Sequence, residues 1–365
     1  MTTALRAGVL SVGGLMVDPN AFDGQDRVMD MHALLVGGTG LISTAITRGL
    51  VAAGNDVTCY TRGETNAAVP SSVRFVHGDR NDQEQFAEQV DALDIDAVVD
   101  MVCFGPDQAA HAIETFGGEI EQYVFCSTVD VYHRPPERNP VTEDAALKPA
   151  VSEYGADKAA AEDRFVAVDD EAFAATIIRP WSTYGEGGTL LHSLGSDTRY
   201  IHRVRSGEPI VVHGDGTSLW GPCHRDDVAR AFVAAVGNPT AYGETYHVTS
   251  EECITWNQYH RRVARALNAP EPELVHVPTD QLIAAVPDRT GSLEDHFRFS
   301  TVFDNAKARQ DLDFTYSTPF ETGVKRTVAW LDERDRIDTD DDPEYDQLVE
   351  VWRDATDSFV ERVRQ

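Results

Sequence analysis

The sequence predicts an α/β protein built on a doubly wound parallel sheet, with a smaller C-terminal portion. Three observations carry this expectation. The chain has 365 residues, more than one minimal domain needs. From His32 onward, short β-rich runs alternate with amphipathic stretches, which implies a parallel sheet with helices on both faces. The first of these runs passes through a cluster of glycines directly into a helical segment.

In chain order the strand runs are ALLVGG, DVTCYTR, VRFVHGD, DAVVDMV, QYVFCSTV and ATIIRP. Between the third and fourth, NDQEQFAEQV reads as a helix, with Asn81 placed to cap it and Glu84 placed to close a capping box. After Arg179 and Pro180 the pattern loosens into loops, the run PIVVHGDG, a helix DDVARAFVAAVG and mixed segments to about Leu331. The expected division is a sheet domain over 31–180 and a second portion over 181–331, some of it returning to the first. An acidic linker and a terminal helix cover 332–365. In that helix Leu348, Val351, Trp352, Phe359 and Val363 recur at near-helical spacing, as residues that pack on the body or on a subunit do. Residues 1–30 read as a dispensable extension or a mis-set start, because Met29 and Met31 stand just before the first strand. Within them, Ala7 to Val17 has only a superficial likeness to a signal segment.

Composition narrows the partners. There are 61 acidic against 31 basic residues, a formal net charge of -30, and only four of the basic residues are lysines: Lys148, Lys158, Lys307 and Lys325. Such a field repels phosphate backbones and anionic lipid, so nucleic-acid and membrane-surface binding are not expected. The acid-rich, lysine-poor balance resembles that of proteins from salt-loving organisms; near 1 M salt the Debye length is only about 3 Å, which weakens that exclusion. The hydrophobic content of 42% forms a core and is not that of a disordered acidic tail. Five scattered cysteines without a C-x-x-C pair suit a reduced cytoplasmic protein and suggest no metal site. No apolar run is long enough to span a bilayer.

The glycine cluster is ALLVGGTGLIS, with Gly37, Gly38 and Gly40 between strand and helix. Glycine is needed where the backbone turns tightly and lets a pyrophosphate approach, and a helix N-terminus offers free N–H groups to it. The third glycine of the usual spacing is Ser43, small enough for close helix packing. The second strand ends Tyr60-Thr61-Arg62-Gly63, without the acid that binds a ribose 2′-hydroxyl. Arg62 could instead hold a 2′-phosphate, which favours NADP over NAD; otherwise it is a solvated loop charge. Asp79 is a candidate adenine contact or an ordinary turn residue.

In SEYGADKAAAEDRF, Tyr154 and Lys158 stand four residues apart in a helical segment, on one face. A nearby ammonium favours the phenolate and lowers a tyrosine pKa, so the pair can exchange a proton with a substrate hydroxyl or carbonyl.

With these motifs the chain resembles the extended short-chain dehydrogenase/reductase superfamily, specifically the NAD-dependent epimerase/dehydratase family. GGTGLIS, HGD, CSTVDVY, YGADK, IIRPWSTYGEG and HGDGTSLWGPCHRDDVARAF follow that family's order over about residues 31–331. The resemblance implies a Rossmann domain in which Tyr154 is the acid/base, Lys158 binds the nicotinamide ribose and tunes Tyr154, and Thr128 bonds the reacting oxygen. The cofactor contacts so expected are Gly37, Gly38, Thr39, Gly40, Leu41, Ile42, Arg62, Asp79, Arg80, Tyr154, Lys158 and Pro180.

The sequence also departs from the family. Dehydratases carry Thr-Asp-Glu before Val-Tyr, and here Val129 replaces the Asp, leaving Asp130 alone. Arginines that hold a nucleotide diphosphate in epimerases fall at Trp220 and near Glu294, and the Asn after the R-P dipeptide is Ser182. These changes weaken the nucleotide part of the substrate more than the sugar part. Trp181, Tyr184, His213, Trp220 and His224 are candidate substrate contacts, with core packing as the alternative for the tryptophans and a loop role for His224. The leading expectation is an NAD(P)-dependent sugar or nucleotide-sugar epimerase acting through a keto intermediate. An NADP-dependent sugar-derivative dehydrogenase or reductase comes next, then a non-catalytic dinucleotide-sensing or RNA-associated relative. A homodimer is left open.

Overall fold

The computed structural model describes residues 31–365 apart from Asn66, Lys148 and Asp170, so the expected extension over 1–30 lies outside the described residues. The first part of the chain runs β1 (His32–Val36), α1 (Ser43–Ala52), β2 (Asp56–Thr61), β3 (Arg74–His77), α2 (Gln83–Asp91), β4 (Ala97–Asp100), α3 (Pro106–Phe116), β5 (Gln122–Cys126), α4 (Glu153–Val166) and β6 (Ala174–Pro180). Among the described residues the central sheet has seven strands in the order Thr245–Val248, β6, β5, β4, β1, β2, β3, all paired in parallel. Strands β4 and β5 are buried along their whole length, as the continuous apolar runs AVV and YVFC require of strands covered on both faces. The chain moves outward from β1 to β3, then returns to β4 on the other side of β1. At this reversal the loops leaving β1 and β4 part, opening the crevice in which doubly wound sheets bind ligands.

Residues beyond β6 build a second layer. Strand Ile210–His213 pairs in parallel with Leu274–Val277, and helices Trp256–Ala266 and Phe320–Asp332 pack on one another. The chain rejoins the main sheet through helix Arg225–Ala235, packed on α1, and strand Thr245–Val248 beside β6. No helix among the described residues is long and apolar enough to cross a membrane.

Two local expectations shift. The cap of α2 is Asp82, whose side chain accepts from the Gln85 N–H at 3.3 Å. Asn81 cannot take that role because its carboxamide oxygen is bound by Gln108, at 2.7 Å, and its own N–H by Asp79. In the terminal helix Pro343–Arg364 the packing seam runs through Tyr345, Val349 and Trp352, whose indole donates to the His276 carbonyl at 2.8 Å. Val351, Phe359 and Val363 lie off or beyond that seam and are 58%, 67% and 69% exposed.

What fixes α4 against the sheet is a buried ion pair. Arg179, on β6, donates to both oxygens of Glu162 on α4, at 2.9 and 2.5 Å, and both side chains are at least 95% buried. Glu162 also accepts from Ser127 at the end of β5, and Arg179 also reaches the Tyr132 hydroxyl. Tyr132 in turn bonds His247 on the edge strand at 2.6 Å. Breaking such a pair by removing one partner leaves an uncompensated buried charge. We expect Glu162→Gln to lower stability by about 3–5 kcal/mol. Being buried, the pair should show nearly the same loss in denaturant titrations at low and high salt.

Candidate active site

The glycine turn sits at the mouth of the crevice. Gly37 has φ +84°, and its N–H donates to the Tyr60 carbonyl at 2.9 Å. At Gly38 a Cβ would lie 2.3 Å from the Cys59 sulfur, so no other residue fits. Ser43, the small third residue of the motif, is buried and its hydroxyl accepts from the Gly40 N–H at 2.7 Å. The N–H groups of Thr39, Leu41 and Ile42 find no acceptor among the described residues, which is the donor set a pyrophosphate at a helix N-terminus uses. Leu41 also packs against Gly188, in the glycine-rich loop after β6. These residues fit a dinucleotide.

Around the adenosine end the expected contacts divide. Arg62 is exposed and paired with Glu64 at 2.9 Å, in reach of solvent at the end of β2. Asp79 is exposed and holds the Asn81 N–H. Arg80 is not available to a cofactor: it is buried, paired with Asp100 at 3.0 Å, and donates to the Val102 carbonyl. Asp100 accepts from Tyr123 as well, so this trio braces the end of β4 from beneath. Pro180 closes β6, and Ser182 two residues on takes φ +44°, a left-handed conformation uncommon for serine.

Tyr154 and Lys158 lie on one face of α4. Ser152 caps α4 by accepting from the Gly155 N–H at 3.0 Å, which starts the helix immediately before Tyr154. Gly155 lets α4 touch the turn Val129–Val131, since a Cβ there would lie 2.1 Å from the Asp130 carbonyl oxygen. Tyr154, Lys158 and Glu162 then form one stripe at spacing of four on α4. Lys158 is buried and its ammonium donates to the carbonyls of Cys103 and Cys126, each at 2.7 Å, at the ends of β4 and β5. It lies 5.9 Å from the Tyr154 ring centre and faces the rings of Phe125 and Phe104.

The direction of the tyrosine shift differs from the expected one. Desolvation, then the neighbouring Cys126 and Asp130, push the Tyr154 phenol above its ordinary pKa, against a hydrogen bond to Thr128. Two protons of the ammonium are committed to carbonyls. Desolvation and the neighbouring anionic groups thus outweigh any lowering of this phenol.

Most of the expected substrate contacts are interior instead. Trp220 is buried among Trp181, Trp256 and Phe297, with ring centres 4.5 to 5.2 Å away. His213 is buried between Ser193, Ser218 and the Phe297 carbonyl, and desolvation lowers its pKa to about 4. Tyr184 is buried and donates to the Phe320 carbonyl at 3.2 Å. His224 is fully buried and caps helix Arg225–Ala235, accepting from the Asp226 N–H at 3.2 Å. With Glu186 and Asp226 it forms a metal-like group, but Arg326 and Arg225 already neutralise those carboxylates. Trp181 borders an open cleft of about 360 Å³, shared with Phe303, Glu251, Asp304 and Arg309.

Reading the sequence for motifs missed Glu162 and Arg179, although Glu162 continues the spacing of four that begins at Tyr154. It also missed Arg134 and His296, which meet Asp130 on the turn Val129–Val131 and carry no local signal.

The NAD dependent epimerase/dehydratase family model matches residues 33–117 and 104–249. The chain is 30% identical to 2′-dehydrokanamycin reductase of Streptomyces kanamyceticus over 75% of its own length and 77% of that protein. It is 28% identical to the chloroplast stem-loop binding protein of 41 kDa b of Arabidopsis thaliana, over 67% of its own length and 65% of that protein. Among solved structures it is similar to the Bordetella bronchiseptica enzyme WbmH in complex with NAD+, with TM-score 0.65, 21% identity, and 83% and 99% of the two chains covered.

Proposed function

Because the chain belongs to the NAD-dependent epimerase/dehydratase family, as an NAD(P)-dependent oxidoreductase or epimerase, we propose that it reduces a ketone on a sugar-type substrate to a secondary alcohol. The observation that carries this reading is Tyr154 seated over Lys158 on one face of α4, the ammonium 5.9 Å from its ring centre, at the mouth of the crevice. A nicotinamide dinucleotide bound at the glycine turn supplies the hydride. Thr128 and Tyr154 hold the carbonyl oxygen between two hydroxyls, and Tyr154 gives it a proton as negative charge develops there. Lys158 has one ammonium proton left for a ribose hydroxyl, its other two being held by Cys103 and Cys126.

Epimerisation ends with this same step, after its reverse has oxidised the alcohol, and is the second reading, favoured by the family model itself. It requires the ketone to turn over and present its other face while still tethered. Where the family places arginines for a diphosphate tether, Trp220 is packed into the aromatic core and Glu294 is exposed. That supports net reduction of a substrate without a nucleotide. A relative named for stem-loop binding keeps a third, RNA-associated reading in view, and the net charge of -30 opposes it. Four of the five cysteines are buried and all five are unpaired, which fits the cytoplasm.

Tyr154→Phe should reduce turnover by at least about a hundredfold, the usual worth of a general acid, while NADPH affinity in fluorescence titration stays nearly unchanged. Turnover that survives the change would remove Tyr154 from the mechanism. In the same titrations Arg62→Ala should weaken NADPH by about tenfold, the scale of one charge-assisted bond, and leave NADH unaffected. An unchanged preference would return Arg62 to the role of a solvated charge.

A further inference from the structure

Directly after Thr128, the turn Val129–Val131 carries Asp130, whose N–H donates to the Thr128 hydroxyl oxygen at 3.2 Å. The Asp130 carboxylate accepts from Arg134 at 2.9 Å and faces His296 Nδ1 at 3.1 Å. Burial alone would raise this carboxyl, but the bonds to His296 and Arg134 hold it below the usual range. Arg134 is buried as well, donates to the Asp295 carbonyl at 3.1 Å, and also reaches His296 Nδ1.

Two opposite partners therefore meet at one ring nitrogen. A guanidinium can only donate and a carboxylate can only accept. The imidazole is thus held in one place whether Nδ1 carries a proton toward Asp130 or a lone pair toward Arg134. Nε2 is correspondingly acceptor or donor, finds no hydrogen-bond partner among the described residues, and belongs to a side chain 20% exposed. His296 sits on a single π-helical turn, Leu293–Phe297, whose flanking Leu293 and Phe297 are anchored in the core. Such turns are frequent at functional sites. The turn belongs to the C-terminal layer, yet its histidine meets Asp130, the residue whose own N–H holds the Thr128 hydroxyl oxygen.

We propose that His296 is a specificity-determining residue whose Nε2 reads a polar group on the carbon next to the reacting carbonyl, with Asp130 and Arg134 as its positioning residues. A ring that offers either a donor or an acceptor without moving suits a hydroxyl, which is both. The substrate class is then an α-hydroxy or α-amino ketone. This rests on the ketone-reducing reading above.

The test uses the full chain with NADPH in concentrated salt, with cyclohexanone and 2-hydroxycyclohexanone as probes. Wild type should prefer the hydroxyketone. His296→Ala should lower kcat/KM for it by about 10- to 100-fold, mainly through KM, while cyclohexanone changes by less than about twofold. His296→Gln, which keeps a donor and an acceptor, should recover part of the preference. Equal losses on both ketones would mark a structural clasp between layers and overturn the proposal, as would no loss on either. If wild type turns over neither ketone, the two are compared by their quenching of NADPH fluorescence in the complex. Hydroxyl selectivity in binding that disappears in His296→Ala then upholds the proposal while the reductase reading fails. Equal wild-type affinities for the two ketones overturn it.

Discussion

The site depends on the register of one helix, and that register is set by the buried pair between Arg179 and Glu162. Apolar contact holds a helix on a sheet by shape, and a bidentate ion pair adds a fixed direction to that contact. This pair joins α4 to β6 at one point, and Ser127, Tyr132 and His247 extend the anchor to β5, the turn Val129–Val131 and the edge strand. Lys158, one helical turn away, then has no choice but to meet the carbonyls of Cys103 and Cys126. Tyr154, one turn further, emerges at the sheet's carboxyl end. Glu162, Lys158 and Tyr154 are thus successive positions of a single stripe, graded from fully buried to 44% exposed.

The acidic surface and this interior obey different physics. Exposed pairs such as Arg62–Glu64 are screened as salt rises, whereas Arg179–Glu162, Arg80–Asp100 and Arg134–Asp130 are largely hidden from solvent. A chain of net charge -30 can therefore change its surface behaviour with ionic strength while the geometry of the site stays fixed. Arginine holds these three interior pairs, which its forked geometry favours. Lysine is kept where a compact ammonium must meet two carbonyls.

Much of the fold was legible because it is local. Continuous apolar runs such as AVV give strands buried on both faces, and the glycines of GGTG mark a turn where at Gly38 not even a methyl group fits. The catalytic spacing was legible for the same reason, since a period of four on a helix is a property of a few adjacent residues. What failed was long-range. Trp220, His213, Tyr184 and His224 carry polar or aromatic groups that suit a substrate, and only tertiary packing places them inside, Trp220 against Phe297, His213 on Ser193, Tyr184 on the Phe320 carbonyl and His224 on the Asp226 N–H. The direction of the Tyr154 shift was not legible because spacing shows that an ammonium is near but not how far burial, Cys126 and Asp130 push the other way. His296 lies 166 positions from Asp130 and could not be paired with it from the chain alone.

The central claim is that Tyr154 delivers a proton to a carbonyl oxygen while its carbon receives a hydride that is not returned. It is tested most directly by incubating the protein in concentrated salt with 2-hydroxycyclohexanone and NADPH deuterated at the transferring position of the nicotinamide. The account predicts deuterium on the new carbinol carbon in amounts equal to the NADPH consumed. Retention of all the deuterium in NADPH, with the ketone unreduced or with only inversion of its hydroxyl-bearing carbon, would contradict it.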